Sequence, residues 1–289
     1  MMYFSLYAVY VSVIVQPLIV RVLSEISAEG LAGSCEKKGD PSAWSCFEKS
    51  WQLPGQSTST VTTHSDICNI VKIGKISQLE FLDTYAYKEP VVFTNITDNS
   101  LFQSLCEKQR LIDDYGHKTV TLSTANTHSY DKVEMKFGEY VERVLRPQDF
   151  NKSGQDTLYF FGNHDYSEWG DLFDQYVIPP YELPFKSAAL SFGIAGAGTG
   201  VPFHFHGPGF AEVIHGSKRW FLLPFENKPH FDPNKTTLRW LLEDYQHVNA
   251  SEKIYECVLK PGEIIYFPDK WWHATLNVEA SVFMSTFLG

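Results

Sequence analysis

Pro202-Phe203-His204-Phe205-His206, read together with Pro268-Asp269-Lys270-Trp271-Trp272-His273, decides how this chain folds and where its chemistry lies. In an extended strand, alternate side chains share a face. His204 and His206 therefore point the same way, and a closed β-barrel brings His273 beside them. Three imidazoles meeting at one point are a metal site, and imidazole suits Fe, Zn, Cu and Ni. The usual non-haem iron centre uses two His and one carboxylate. Here the carboxylate position carries His206.

Working outward, the chain after Pro184 reads as short strands at close intervals: Ala188 to Phe192, Val201 to His206, Glu212 to His215 and Arg219 to Leu223. A helix over Thr237 to Tyr245 interrupts them, and Glu256 to Leu259, Glu263 to Phe267, His273 to Val278 and Ser281 to Phe287 supply the rest. This pattern predicts a mainly β fold, a double-stranded β-helix of the jelly-roll type, with flanking helices. Upstream the reading is mixed. Ser77-Gln78-Leu79-Glu80 is a capping box opening a short helix; Val91 to Phe93 and Thr119 to Leu122 read as strands; Leu101 to Leu111 and Phe137 to Leu145 read as helices. Gly196-Ala197-Gly198-Thr199-Gly200 opens no helix, so it is a turn into the histidine-bearing strand and not a phosphate loop.

Leu190-Ser191-Phe192-Gly193, Pro202 to His206, Gly216-Ser217-Lys218-Arg219-Trp220, Pro261-Gly262-Glu263 and Trp271-Trp272-His273 together resemble the jumonji-C (JmjC) family. Its members are Fe(II)/2-oxoglutarate oxygenases. Glu89 to Phe93 and Tyr159 to Gly162 resemble the family's N-terminal part, so the likeness covers about three quarters of the chain. It implies a cupin-like barrel with His204 and His273 as metal ligands and His206 where the carboxylate falls. It also implies Lys218 as the cationic partner of the remote carboxylate of 2-oxoglutarate, since a buried carboxylate needs one. Thr286 or Ser285 on the last strand is placed to assist that contact, whereas Val201, three before His204, carries no hydroxyl. His206 stands open between metal ligation and a supporting or solvent-facing role, with Glu212 a substitute carboxylate by rotation. The other histidines, Trp220, Trp271 and Trp272 read as packing or surface residues.

A formal net charge of -10 argues against nucleic acid, whose phosphates are met by Lys and Arg. Residues Tyr3 to Val20 are uncharged and mostly apolar, closed by Arg21. They read as a signal peptide over residues 1–28 or, uncleaved, as an anchor, because the run approaches the ~18 residues that span a bilayer. Residues 29–75 form an irregular extension anchored by Trp44, Phe47 and Trp51, and 76–289 form the JmjC domain, with its barrel core at about 187–289. Sequons at Asn95, Asn151, Asn234 and Asn249 fit glycosylation in the secretory pathway. The cysteines at 35, 46, 68, 106 and 257 lack zinc-type spacing; Cys35 and Cys46 are one possible bridge, and an odd total leaves a free thiol. The expected compartment is the endoplasmic reticulum lumen, with no membrane contact once the leader is cleaved.

Two functions fit. One is an oxygenase using Fe(II) and 2-oxoglutarate, acting on a protein side chain or a small lumenal molecule and not on histones. The other is a catalytically impaired JmjC module kept for binding or signalling, which His206 favours.

Overall fold

The computed structural model describes residues 51–52, 67–129, 131–162, 164–248 and 253–289. The apolar leader, most of the 29–75 extension, Cys35, Cys46 and the Asn249 sequon lie outside the described residues.

Among the described residues, twelve strands form two sheets. In chain order they are β1 (Lys72–Ile73), β2 (Val91–Thr94), β3 (Thr119–Thr124), β4 (Lys132–Lys136), β5 (Leu158–Phe161), β6 (Ala188–Ala195), β7 (Gly209–His215), β8 (Lys218–Leu223), β9 (Tyr255–Leu259), β10 (Glu263–Phe267), β11 (Trp272–Asn277) and β12 (Ser281–Leu288). The larger sheet runs β1-β2-β10-β7-β12-β6-β5-β3-β4; the smaller runs β11-β8-β9. Apart from the parallel β1–β2 pair, neighbours are antiparallel. This is the jelly-roll architecture that the strand spacing predicts. The larger sheet also draws on strands well upstream of residue 187, because β2 pairs with β10 and β5 with β6.

Alternation along the strands divides the core. Val92, Ala211, Val213, Trp220, Leu222, Leu259, Ile265 and Phe267 pack together between the sheets. On the other face of the large sheet, Phe160, Phe192, Val282 and Met284 pack with Phe102, Leu111, Trp169 and Phe173. These last four come from helices α2 (Ser100–Leu105), α3 (Lys108–Tyr115) and α4 (Tyr166–Phe173), which follow α1 (Gln78–Thr84). Ser77 caps α1 as its sequence predicts, its side chain accepting from the Glu80 N–H. α5 (Thr237–Glu243) is capped likewise by Thr236.

Three expectations need correction. The single helix read over Leu101 to Leu111 is two, broken at Glu107, whose ψ of 141° is extended. There the Cys106 carbonyl accepts from Trp51 Nε1 at 2.9 Å, a tertiary contact that no local propensity encodes. Phe137 to Val144 begins as α-helix and continues as π-helix. Most relevant to function, Val201 to His206 is not a regular strand: it meets β11 through an isolated bridge, His204 to His273, and through Thr275 N, which donates to the Val201 carbonyl.

The described cysteines also resolve what spacing leaves open. Cys68 and Cys257 form a disulfide across 189 residues, pinning the entry to the domain onto β9, while Cys106 is free and buried.

Candidate metal centre

Reciprocal backbone bonds fix two of the three histidines. His204 N donates to the His273 carbonyl at 3.0 Å, and His273 N returns to the His204 carbonyl at 2.8 Å. His206 is held by the next turn, where Lys270 N donates to its carbonyl at 2.9 Å. Ring centroids stand 4.3 Å apart for His204–His273, 4.6 Å for His206–His273 and 5.4 Å for His204–His206. One nitrogen from each ring lies within 4.8 Å of the other two. Phe205, between the two histidines in sequence, packs instead against Phe225 and Trp272 and is partly exposed.

Each imidazole is oriented by the same device. The Nδ1 atoms of His204, His206 and His273 lie 2.9, 2.8 and 2.9 Å from the carbonyls of Pro202, Gly207 and Trp271. A carbonyl only accepts, so each Nδ1 carries the hydrogen and each Nε2 presents a bare lone pair. Two of these, on His206 and His273, lie 3.1 Å apart. Facing lone pairs repel, and a cation between them removes the repulsion; the donor set therefore fits a metal ion. Burial holds all three rings neutral, helped at His204 and His273 by the neighbouring imidazoles: His204 is pushed down to about 4, His206 is lowered, and His273 falls well below its ordinary value. Phe267, Phe287 and Trp220 wall the cluster.

Lys218 opens β8 and is 5% exposed, its Nζ 3.4 Å from the centre of the Phe283 ring. No carboxylate pairs with it among the described residues, and burial lowers its pKa to about 7. Two residues along β8 from Trp220, Lys218 shares its inward face, and Trp220 lies 5.7 Å from the His273 ring. The site thus has an uncompensated amine ready for an anion, which fits the remote carboxylate of 2-oxoglutarate.

On β12 the alternation separates the two candidate hydroxyls. Phe283 lies under Lys218 and Phe287 lies 5.0 Å from His206, so Ser285 between them shares the interior face. Thr286 alternates to the opposite face, the one that Val282 and Met284 occupy. Glu212 is corrected as a substitute carboxylate. Its neighbours Ala211 and Val213 face the barrel, whereas its carboxylate points outward and accepts from Asn99 Nδ2 at 2.8 Å and the Tyr176 hydroxyl at 2.9 Å. Burial raises its pKa to about 7. It has no route to the histidines without breaking both bonds.

Tyr159 has no role in the sequence reading, yet it packs with Phe283, Phe161 and Val201 over the Lys218 pocket. Its inward alternation on β5 was the available signal. Adjoining the His206 turn through Lys270 is a recess of about 560 Å³ lined by Tyr87, Glu89, Phe225, Tyr255, Lys270 and Trp271. Tyr87 and Lys270 adopt left-handed φ of 62° and 60°, a costly backbone state for non-glycine residues. Of the sequon asparagines, Asn95, Asn151 and Asn234 are exposed.

Residues 77–287 match the family model for the cupin-like domain. The mouse JmjC domain-containing protein 8 is 51% identical over 242 residues, which are 84% of this chain and 90% of that protein. The lysine-specific demethylase JMJ21 of Arabidopsis thaliana is 27% identical over 74% of this chain and 24% of its own length. A Caenorhabditis elegans protein named bifunctional arginine demethylase and lysyl-hydroxylase psr-1 is 25% identical over 67% of this chain and 54% of its own. With its paired sheets and its histidine cluster at the barrel mouth, the chain belongs to the cupin-like JmjC-domain family, which is related to Fe(II)/2-oxoglutarate oxygenases such as demethylases and hydroxylases.

Proposed function

We propose that this protein is a lumenal oxygenase that holds Fe(II) on His204, His206 and His273 and binds 2-oxoglutarate with its remote carboxylate on Lys218. The observation that carries the reading is the convergence of three bare Nε2 atoms beside a buried lysine with no carboxylate partner among the described residues. When bound, iron and 2-oxoglutarate supply oxidising power from O2, giving a hydroxylated product with succinate and CO2. The chain's own residues do the rest. Carbonyls of Pro202, Gly207 and Trp271 fix the ligand tautomers, Lys218 and Ser285 orient the co-substrate, and aromatic walls keep water out. The recess beside the His206 turn carries Lys88, Lys270, Glu89, Glu226 and Asp269, a mixed-charge lining that suits a polar substrate, either a protein side chain or a small molecule.

Placement in the secretory pathway is supported by the Cys68–Cys257 disulfide, which persists in oxidising compartments, and by three exposed sequons. We expect glycans on Asn95, Asn151 and Asn234.

Succinate production with added Fe(II) and 2-oxoglutarate tests the oxygenase directly. Wild type is expected to exceed His204→Ala and Lys218→Ala; equal rates in all three refute the assignment. The absent carboxylate favours a second reading, a catalytically impaired module, because Glu212 is tied outward. Cellular rescue by a folded His204→Ala/His273→Ala double variant would select that reading.

A further inference from the structure

We infer that Asn99, Tyr176 and Glu212 form a latch that holds the chain leaving α4 against the outer face of the larger sheet in acid and loosens toward neutral pH. The inference goes beyond the oxygenase reading and uses groups that the metal centre does not.

Asn99 stands at the N-cap of α2, where an asparagine side chain ordinarily accepts from the first helical turn, yet it makes no such bond. Its amide is spent elsewhere. Asn99 Oδ1 accepts from Val177 N at 2.7 Å, and Nδ2 donates to the Val177 carbonyl at 3.1 Å and to Glu212 Oε2 at 2.8 Å. One side chain thus meets both backbone groups of Val177. Tyr176, the residue before, donates its hydroxyl to the same Glu212 oxygen at 2.9 Å. The carboxylate is therefore the point on β7 to which the chain after α4 is tied.

That carboxylate is buried without a cation. Glu212 is 2% exposed, set between Ile264 on β10 and Met284 on β12. The titratable groups around it supply no positive charge. Burial raises the Tyr176 hydroxyl and lowers His215, which is bonded to the Gln103 carbonyl on α2, while Asp98 accepts from Ser100 N. Two neutral donors offset only part of the desolvation cost, so the Glu212 carboxyl is pushed up to about 7. Opening the latch returns it to water and to its ordinary value of 4.5. Because the closed state has the raised value, the hold is complete below about pH 4.5, weakens as pH rises toward about 7 and stays weak above it. Opening is local, since Tyr181 and Leu183 are buried in a separate cluster with Phe81 and Phe93. It frees Tyr176 to Pro180 and the start of α2.

The test is hydrogen exchange in the metal-free full chain, read by mass spectrometry as protection corrected for the intrinsic pH dependence of exchange. In wild type, protection of peptides covering Val177 is expected to fall by about tenfold or more between about pH 5.5 and 8 and to level off above that. Glu212→Gln keeps the accepting oxygen and cannot ionise, so its protection is expected to stay level over the same range. Parallel profiles in the two proteins overturn the inference, as does wild-type protection that is flat or rises with pH. Should the variant misfold, the shape of the wild-type profile decides: a fall that continues to about pH 7 supports the latch, and one complete below about pH 5 marks an unburied carboxylate and rejects it. Neither iron nor 2-oxoglutarate enters the measurement, so the oxygenase reading is judged separately by turnover.

Discussion

Replacing Lys218 with Met is expected to stabilise the ligand-free protein near neutral pH, by an amount that shrinks as pH rises. Burial lowers the folded-state pKa of this amine from 10.5 to about 7. At about 1.36 kcal/mol for each tenfold change, the folded state's preference for the neutral amine is worth roughly 5 kcal/mol as an upper bound. Because the folded value is depressed, the unfolded chain binds more protons between pH 7 and 10.5. The stability linked to Lys218 is thus fully present above pH 10.5 and is lost as pH falls toward 7. Met keeps the apolar stem over Phe283 and does not titrate. Every other titrating group is common to both chains, so the difference isolates Lys218. Urea denaturation of metal-free protein at pH 7, 8 and 9 should show Lys218→Met the more stable, with the gap closing by up to about 1.4 kcal/mol per pH unit. Adding 2-oxoglutarate should stabilise wild type and leave the variant unchanged, since only wild type offers the cation. Parallel pH profiles from 7 to 9 would refute the claim that this lysine is buried without an anionic partner.

Two further predictions concern the supports of the site. Gly193→Ala places a Cβ into the ring of Phe283, which carries Lys218, and should cost about 1 to 3 kcal/mol in denaturation while weakening 2-oxoglutarate binding in calorimetry. Unchanged co-substrate affinity would detach Phe283 from the pocket. Removing the Cys68–Cys257 bridge by paired alanine substitution reopens a loop of 189 residues and should lower stability by up to roughly 5 kcal/mol in the chain-entropy model; denaturation that is insensitive to reductant would contradict this.

Much of this protein is legible along the chain because its signals are local. Ser77 caps a helix through its own hydroxyl, and the period-two strands after Pro184 sort residues onto two faces without knowledge of their partners. The same alternation, applied strictly, would have separated Ser285 from Thr286 and turned Glu212 outward, since adjacent residues in a strand cannot share a face. Other features have no local signature. The break at Glu107 lies where Trp51 docks on Cys106, and the pairing of Cys68 with Cys257 joins segments far apart in sequence.

The sequence by itself determined the cast: two histidines two residues apart, a third before the last strands, a lysine on the strand between, and strand periods that close a barrel. Only the tertiary structure decided how those groups meet. Backbone carbonyls contributed by Pro202, Gly207 and Trp271 choose which nitrogen each imidazole presents, and burial strips Lys218 of carboxylate partners among the described residues. Both are properties of three-dimensional surroundings, because a tautomer and a desolvation cost depend on what lies a few ångströms away in space and not on what lies next in the chain.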